Sequence, residues 1–240
     1  MANTDWRPEI LRLTAFPAAL HETSWQSLTG APPAETSAQP RLDQSQEAGP
    51  FANGLLRLIK EKARIEWRYE ALDTQDEPLP QLGPMSAELS QWRPSMLRWL
   101  EGAPALRRVA FGAVLRHEVP DKEAGYLYLG SLLNAVKLDP TASDFLYRIN
   151  RPRKSQSHPE VSINRLTTWS VITQARFGIR LVGLHAGPLD VERYGLACRL
   201  ELDINTAAEF TGTFQPNELP GIFKELVDLG TEIAEGGDIE

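Results

Sequence analysis

The chain's densest concentration of ligand-binding groups is Arg148-Ile-Asn-Arg-Pro-Arg-Lys-Ser155, followed by Ile163-Asn164-Arg165. From Asp144 to Arg180, seven basic residues (Arg148, Arg151, Arg153, Lys154, Arg165, Arg176 and Arg180) are opposed only by Asp144 and Glu160. Guanidinium forks combined with amide and hydroxyl donors are what a phosphate or carboxylate requires. Arg148, Asn150, Arg151, Arg153, Lys154, Asn164 and Arg165 therefore form the candidate anion- or partner-binding set, with Ser155 and Ser157 adding donors. Asn150 and Asn164 are expected to lie close together on paired strands. From Glu201 to Glu240 the balance reverses, with ten carboxylates against Lys224 alone. Three readings follow, in this order: the basic hairpin pairs with the acidic C-terminal helix of its own fold, it meets an acidic partner, or it holds nucleic acid or a nucleotide. Charge alone does not choose among them.

A second chemistry is written in Arg199-Leu-Glu-Leu-Asp-Ile-Asn-Thr206. Glu201 and Asp203 stand at i and i+2 on one face of a predicted strand and could share a divalent metal for phosphodiester hydrolysis. Such sites add a third acidic ligand and a nearby Lys or His, which no spacing here supplies. Alternation on a solvated strand accounts for the same residues. His21, His117, His158 and His185 are scattered, with no two at metal-ligand spacing. There is no G-x-S-x-G elbow, no G-x-G-x-x-G and no Walker A pattern. Cys198, in a predicted strand, reads as a buried structural thiol, and the six tryptophans read as core anchors. With no complete catalytic set and no cofactor motif, the chain reads as a non-enzymatic binding or subunit protein. A protein partner or a second copy ranks ahead of nucleic acid, and a metal-dependent nuclease or phosphodiesterase is the alternative.

The bulk numbers agree. At 240 residues the chain fits one large domain or two smaller ones, and 42% apolar with 24% charged residues is ordinary globular usage. A net charge of −7 opposes general nucleic-acid binding. A single cysteine excludes an intrachain disulfide and fits a reducing compartment. Met1–Arg12 carries Asp5, Arg7, Glu9 and Arg12, so it lacks the apolar core of a signal peptide, and no run approaches the ~20 apolar residues of a membrane helix. A cytoplasmic protein that does not enter a membrane is expected.

To position these residues, the pattern predicts an α+β fold. Strands are expected over Ile10–Phe16, Leu55–Ile59, Arg64–Ala71, Arg107–Glu118, Phe145–Arg151, Val161–Thr173 and Tyr194–Thr206, from period-two alternation. One helix carries Leu89, Trp92, Met96, Leu97 and Leu100, with Pro94 at a kink or in the first turn. A second runs from an Asp121 cap to about Leu138. The last starts at Pro216 or Asn217 and ends near Ile233, ahead of a Gly-rich acidic tail. Gly30–Pro50 holds almost no large apolar residue and is expected to be a long mobile loop. The element order suggests antiparallel sheets each covered by helices, in two similar halves: 1–118, which includes the loop, and 119–240.

The early LRLTAFP strand, the middle RVAFG strand, the RINRPR…INRL hairpin and the late LELDINT strand before an amphipathic helix together resemble a group of sporadically distributed proteins of bacteria and their mobile elements. In that group a central arginine strand ends in an Asn-Arg pair, and a Leu-Asp-Ile strand precedes the terminal helix. The matching positions are Arg148–Arg151 and Leu202–Ile204; the Ala/Pro-rich loop and the second INR at 163–165 depart from the pattern. The resemblance implies no activity, because that group has no established one. Its patchy occurrence implies a role in conflict between bacteria and phage.

Overall fold

The computed structural model describes residues 5–19, 21–73, 79–182 and 185–238, side chains of 176–194 excepted. The chain runs β1 (Arg7–Pro17), α1 (Trp25–Thr29), β2 (Glu35–Gln39), a 3₁₀ turn, β3 (Gln44–Phe51), β4 (Gly54–Glu61), β5 (Arg64–Glu70) and α2 (Met85–Glu101). It continues through β6 (Leu106–Glu118), α3 (Lys122–Leu132), β7 (Leu146–Asn150), β8 (Arg153–Lys154), β9 (Ser162–Val182), β10 (His185–Thr206) and α4 (Leu219–Gly236). The α+β class is as expected. The strands form one ten-stranded sheet rather than separate ones, in the order β2-β3-β4-β5-β1-β6-β10-β9-β7, with β8 also paired to β9. The pairings are all antiparallel.

Period-two alternation gives the sheet two chemically distinct faces. Leu11 and Leu13 of β1, Val109, Phe111 and Leu115 of β6, and Cys198, Leu200, Leu202 and Ile204 of β10 point to one side and are buried. The helices pack on that side. Phe111 meets Trp92 of α2 and Phe223 of α4, and those two rings meet each other, with centroids 6.0–6.4 Å apart. Trp25 of α1 and Trp99 of α2 flank Trp67 of β5. The Gly125 carbonyl of α3 accepts from Cys198 Sγ at 3.3 Å. All six tryptophans are buried. Each adds about 1.5–3 kcal/mol of apolar burial, and an edge-to-face pair about 0.5–1.5 kcal/mol more.

The helices start where local chemistry permits. The Asp121 carboxylate accepts from the Ala124 N–H at 2.8 Å and caps α3. That helix stops at Leu132, six residues earlier than expected, where the segment following α4 takes its last turn: the Asp238 N–H donates to the Leu132 carbonyl at 2.9 Å. Pro94 lies well inside α2, which starts nine residues earlier, at Met85. The stretch Gly30–Pro50 is not an irregular loop; it holds β2 and β3. β3 pairs with β4 from Ser45 to Phe51, so ladder hydrogen bonds order a segment whose side chains bury little. β9 and β10 are longer than expected. β6 accompanies β10 only as far as Ala197↔Glu118, and beyond it the two continue as a ribbon to His185↔Val182. No described helix is long and apolar enough to cross a membrane.

Candidate functional site

The basic segment and the acidic C-terminal helix meet as a clasp. Residues 151–158 run antiparallel to α4, and its carboxylates, seven residues apart, take their partners in turn. Glu218 lies 3.5 Å from His158 Nε2, and Glu232 lies 3.9 Å from Arg153. Between them Glu225 accepts from Ser155 Oγ at 2.7 Å, Gln156 N at 2.6 Å, Ser157 Oγ at 2.8 Å and Ser157 N at 3.3 Å. Just past the helix, Asp238 accepts from Arg151 Nε at 2.7 Å and Nη2 at 2.9 Å, and from the Tyr147 hydroxyl at 3.0 Å. Gly237 makes the bend that brings Asp238 there, with φ at +83°, where a side chain would be strained.

The clasp shows in its ionisation. The Arg151 fork holds the Asp238 carboxyl below its ordinary pKa, against opposing burial. Burial pushes Glu225 the other way, but the Gln156, Ser155 and Ser157 donors outweigh it and its pKa is lowered. Arg165 is buried and donates to the Arg151 carbonyl at 2.8 Å; burial, then the neighbouring Arg153 charge, lowers its pKa. Arg151, Arg153 and Arg165 are therefore committed within the fold, and the intramolecular reading accounts for them. Of the basic residues in the candidate set, the side chains of Arg148 and Lys154 make no hydrogen bond or ion pair among the described residues.

Asn150 and Asn164 do meet, as part of a longer ladder. Asn150 Nδ2 donates to Asn164 Oδ1 at 3.0 Å, and Asn164 Nδ2 to Asn205 Oδ1 at 3.2 Å. Arg108 Nη2 donates to the same Asn205 oxygen at 2.6 Å, while Asn205 Nδ2 donates to Asp203 Oδ1 at 3.0 Å. The ladder crosses β7, β9, β10 and β6 on the sheet face opposite the helices and fixes Asp203.

That face also presents a residue sequence reasoning missed. Register places Arg12 of β1 opposite Gly112 of β6, and Gly112 opposite Asp203 of β10. One row away, Arg148 of β7 pairs with Thr168 of β9, which pairs with Glu201 of β10. The two arginines thus approach a central carboxylate pair from opposite sides. Together with Val114, Leu166 and Thr168 they line a pocket of about 240 Å³. Gly112 lets Arg12 lie flat over β6: a methyl there would meet Arg12 Cγ at 2.7 Å. Neither arginine side chain makes a hydrogen bond or ion pair among the described residues. Their neighbours on this face do: Arg57 with Glu70, Arg68 with Glu66, Arg116 with Glu9, and Arg199 with Glu201.

For metal chemistry, Glu201 and Asp203 share the pocket, but no group of three or more His, Cys, Asp or Glu able to hold an ion forms among the described residues. Glu201 is ion-paired to Arg199. Cys198 is buried, and burial pushes its thiol up to about 12, so it is no nucleophile at neutral pH. His117 stacks on Tyr128 with centroids 4.0 Å apart, and the side chain of His185 lies outside the described residues. No family model, no curated protein and no solved structure matches the chain.

Proposed function

We propose that this chain is a binding protein, a subunit or sensor without a reaction of its own, which receives an acidic partner on the helix-free face of its sheet. The observation that carries this reading is the pair Arg12 and Arg148. They are left without anionic partners on a face where Arg57, Arg68, Arg116 and Arg199 each have one. A guanidinium held at the rim of a pocket and not neutralised from within is the group that carboxylates of another molecule pair with. Lys154, exposed on β8, adds a third cation. The basic hairpin thus enters the reading through Arg148 and Lys154, while Arg151 and Arg153 hold it in place.

We also read the chain as two similar α+β halves that share the sheet. Each runs strand, short helix, four strands, long helix: β1 to α2, then β6 to α4. The opening strands β1 and β6 lie side by side, and each also pairs with the last strand of its own half, β5 or β10. This reading sets the join before β6 rather than after it. It makes the face over β1, β6 and β10 the seam of the two halves, and seams between packed units are common binding positions.

The test is co-purification of the tagged chain from its native host after nuclease treatment. A stoichiometric protein retained by the wild type and by Arg41→Glu, but lost from the folded Arg12→Glu/Arg148→Glu double variant, is expected. Equal retention by the double variant, or nucleic acid as the sole co-purifying species, overturns the reading.

A further inference from the structure

The charges of the helix-free face are not uniformly positive, and their order restricts what fits there. Along the sheet the strands run β1, β6, β10, β9, β7. Arg12 on β1 and Arg148 on β7 therefore each stand two strands from β10, which carries Glu201 and Asp203. At a strand spacing of about 4.8 Å, the two arginine backbones are about 19 Å apart, with the carboxylates about midway. Arg12 leans inward over Gly112, and Arg148 lines the same pocket from the far side. The face thus presents plus, minus, plus. A uniformly acidic segment crossing it would pair at both ends and place its middle carboxylate over Asp203, where like charges repel.

Resting on the reading that an acidic partner binds here, we infer that the partner crosses this face with an extended segment whose charges alternate acid, base, acid at i, i+2 and i+4. In an extended chain those three side chains share one side, and the first and last lie about 13 Å apart. That is shorter than the arginine backbone separation by an amount the inward-lying side chains take up. The outer carboxylates pair with Arg12 and Arg148, and the central Lys or Arg with Asp203. The Asn150–Asn164–Asn205 ladder holds Asp203 from behind and leaves its second oxygen for that cation. Arg199 already neutralises Glu201, so Asp203 is the discriminating group.

The test uses the full chain and two fluorescein-labelled, end-blocked heptapeptides titrated to millimolar concentration. One is Thr-Glu-Thr-Lys-Thr-Glu-Thr; the other carries Glu in place of its Lys. Fluorescence anisotropy is expected to show the alternating peptide binding at least ~10-fold more tightly, with the preference reversed in Asp203→Lys and binding of both lost in Arg12→Glu/Arg148→Glu. Circular dichroism melts confirm that each variant is folded. Tighter binding of the all-acidic peptide through the same two arginines overturns the alternation and leaves the acidic-partner reading standing. No binding of either peptide, or binding unchanged in the arginine variant, overturns the inference as well.

Discussion

Replacing Asp238 with Ala removes the last tooth of the clasp and should open it from the C-terminal end. The carboxylate is almost fully buried, with 3% of its side-chain surface exposed, whereas Arg151 keeps 26%. Two charge-assisted hydrogen bonds from the guanidinium and one from Tyr147 are lost. At about 1.5–3 kcal/mol per bond to a charged group, the gross loss is several kcal/mol. Arg151 is exposed enough for water to replace part of its solvation, so about 2–3 kcal/mol is the expected net cost. For a chain of this length that is a fall in Tm of roughly 5–10 °C. The pH dependence follows from the direction of the shift. The folded Asp238 pKa lies below its ordinary value, so its contribution is fully present above the unfolded pKa and is lost as pH falls through the folded one. The wild type and Asp238→Ala should therefore differ at pH 7 and converge in acid. Thermal melts across pH 3–7 read this, and hydrogen exchange locates it: amides of 153–157 should lose protection before the β6–β10 ladder does. A penalty under ~0.5 kcal/mol at pH 7, or one that persists undiminished at pH 3, would refute the claim that this ion pair holds the segment.

Glu88, buried in α2, accepts from the Tyr69 hydroxyl at 2.7 Å, Asn53 Nδ2 at 3.0 Å and Gly83 N at 3.0 Å, so Glu88→Ala should cost about 3–5 kcal/mol by urea denaturation and Glu88→Gln clearly less. Cys198, with its thiol pushed up to about 12, should resist iodoacetamide at pH 8 in the native protein and react at once in guanidinium chloride. Gly112→Ala should leave stability within ~1 kcal/mol, because the methyl displaces the flexible Arg12 side chain rather than backbone, yet weaken partner capture about as much as Arg12→Ala does.

Where burial alternates with the backbone period, the sequence is a sufficient guide. Val109, Phe111, Ala113 and Leu115 of β6, the α4 stripe from Leu219 to Leu229, and the Asp121 cap all read directly because each signal is local. β2 and β3 are invisible to that logic. β3 is ordered by pairing with β4 and β2 by pairing with β3, and a strand such as Glu-Thr-Ser-Ala-Gln contributes main-chain groups rather than apolar side chains. The ends of α3 and of the β9–β10 pair were missed for a related reason. One is set by Asp238, over a hundred residues away, and the other by backbone pairing that continues beyond β6. At the site, the clustering of Arg148, Asn150, Arg151, Arg153, Lys154, Asn164 and Arg165 was legible as charge. Which of them are spent inside the fold was not, because that depends on partners far away along the chain.

That division is what gives the helix-free face its meaning. An acidic protein with a basic segment can neutralise the segment from within, and here Asp238 does so for Arg151 and Glu232 for Arg153, while Glu225 ties down the uncharged turn between them. Had the basic residues been left open as a group, the net charge of −7 would still favour their collapse onto the protein's own acids. Arg12 and Arg148 escape that fate through geometry. Within their own rows the nearest carboxylates sit two strands away, Glu201 held by Arg199 and Asp203 by Asn205, and the acids diagonal to Arg12 on β5, Glu66 and Glu70, are taken by Arg68 and Arg57. An unpaired cation on a pleated face is costly only if desolvated without a partner, so it can persist at a pocket rim until another molecule covers it. Covering it then gains two charge-assisted contacts that the free protein lacks, while the arginines already paired gain little. Truncating Arg57 or Arg68 should accordingly lower stability, Arg68 the more because it leaves the buried Glu66 unpaired, and leave capture unchanged, whereas truncating Arg12 or Arg148 should leave stability nearly unchanged and weaken capture. A set of four single alanine variants, each measured for Tm and for partner retention, separates the two classes; a uniform response across all four would show that the face acts only through its total charge.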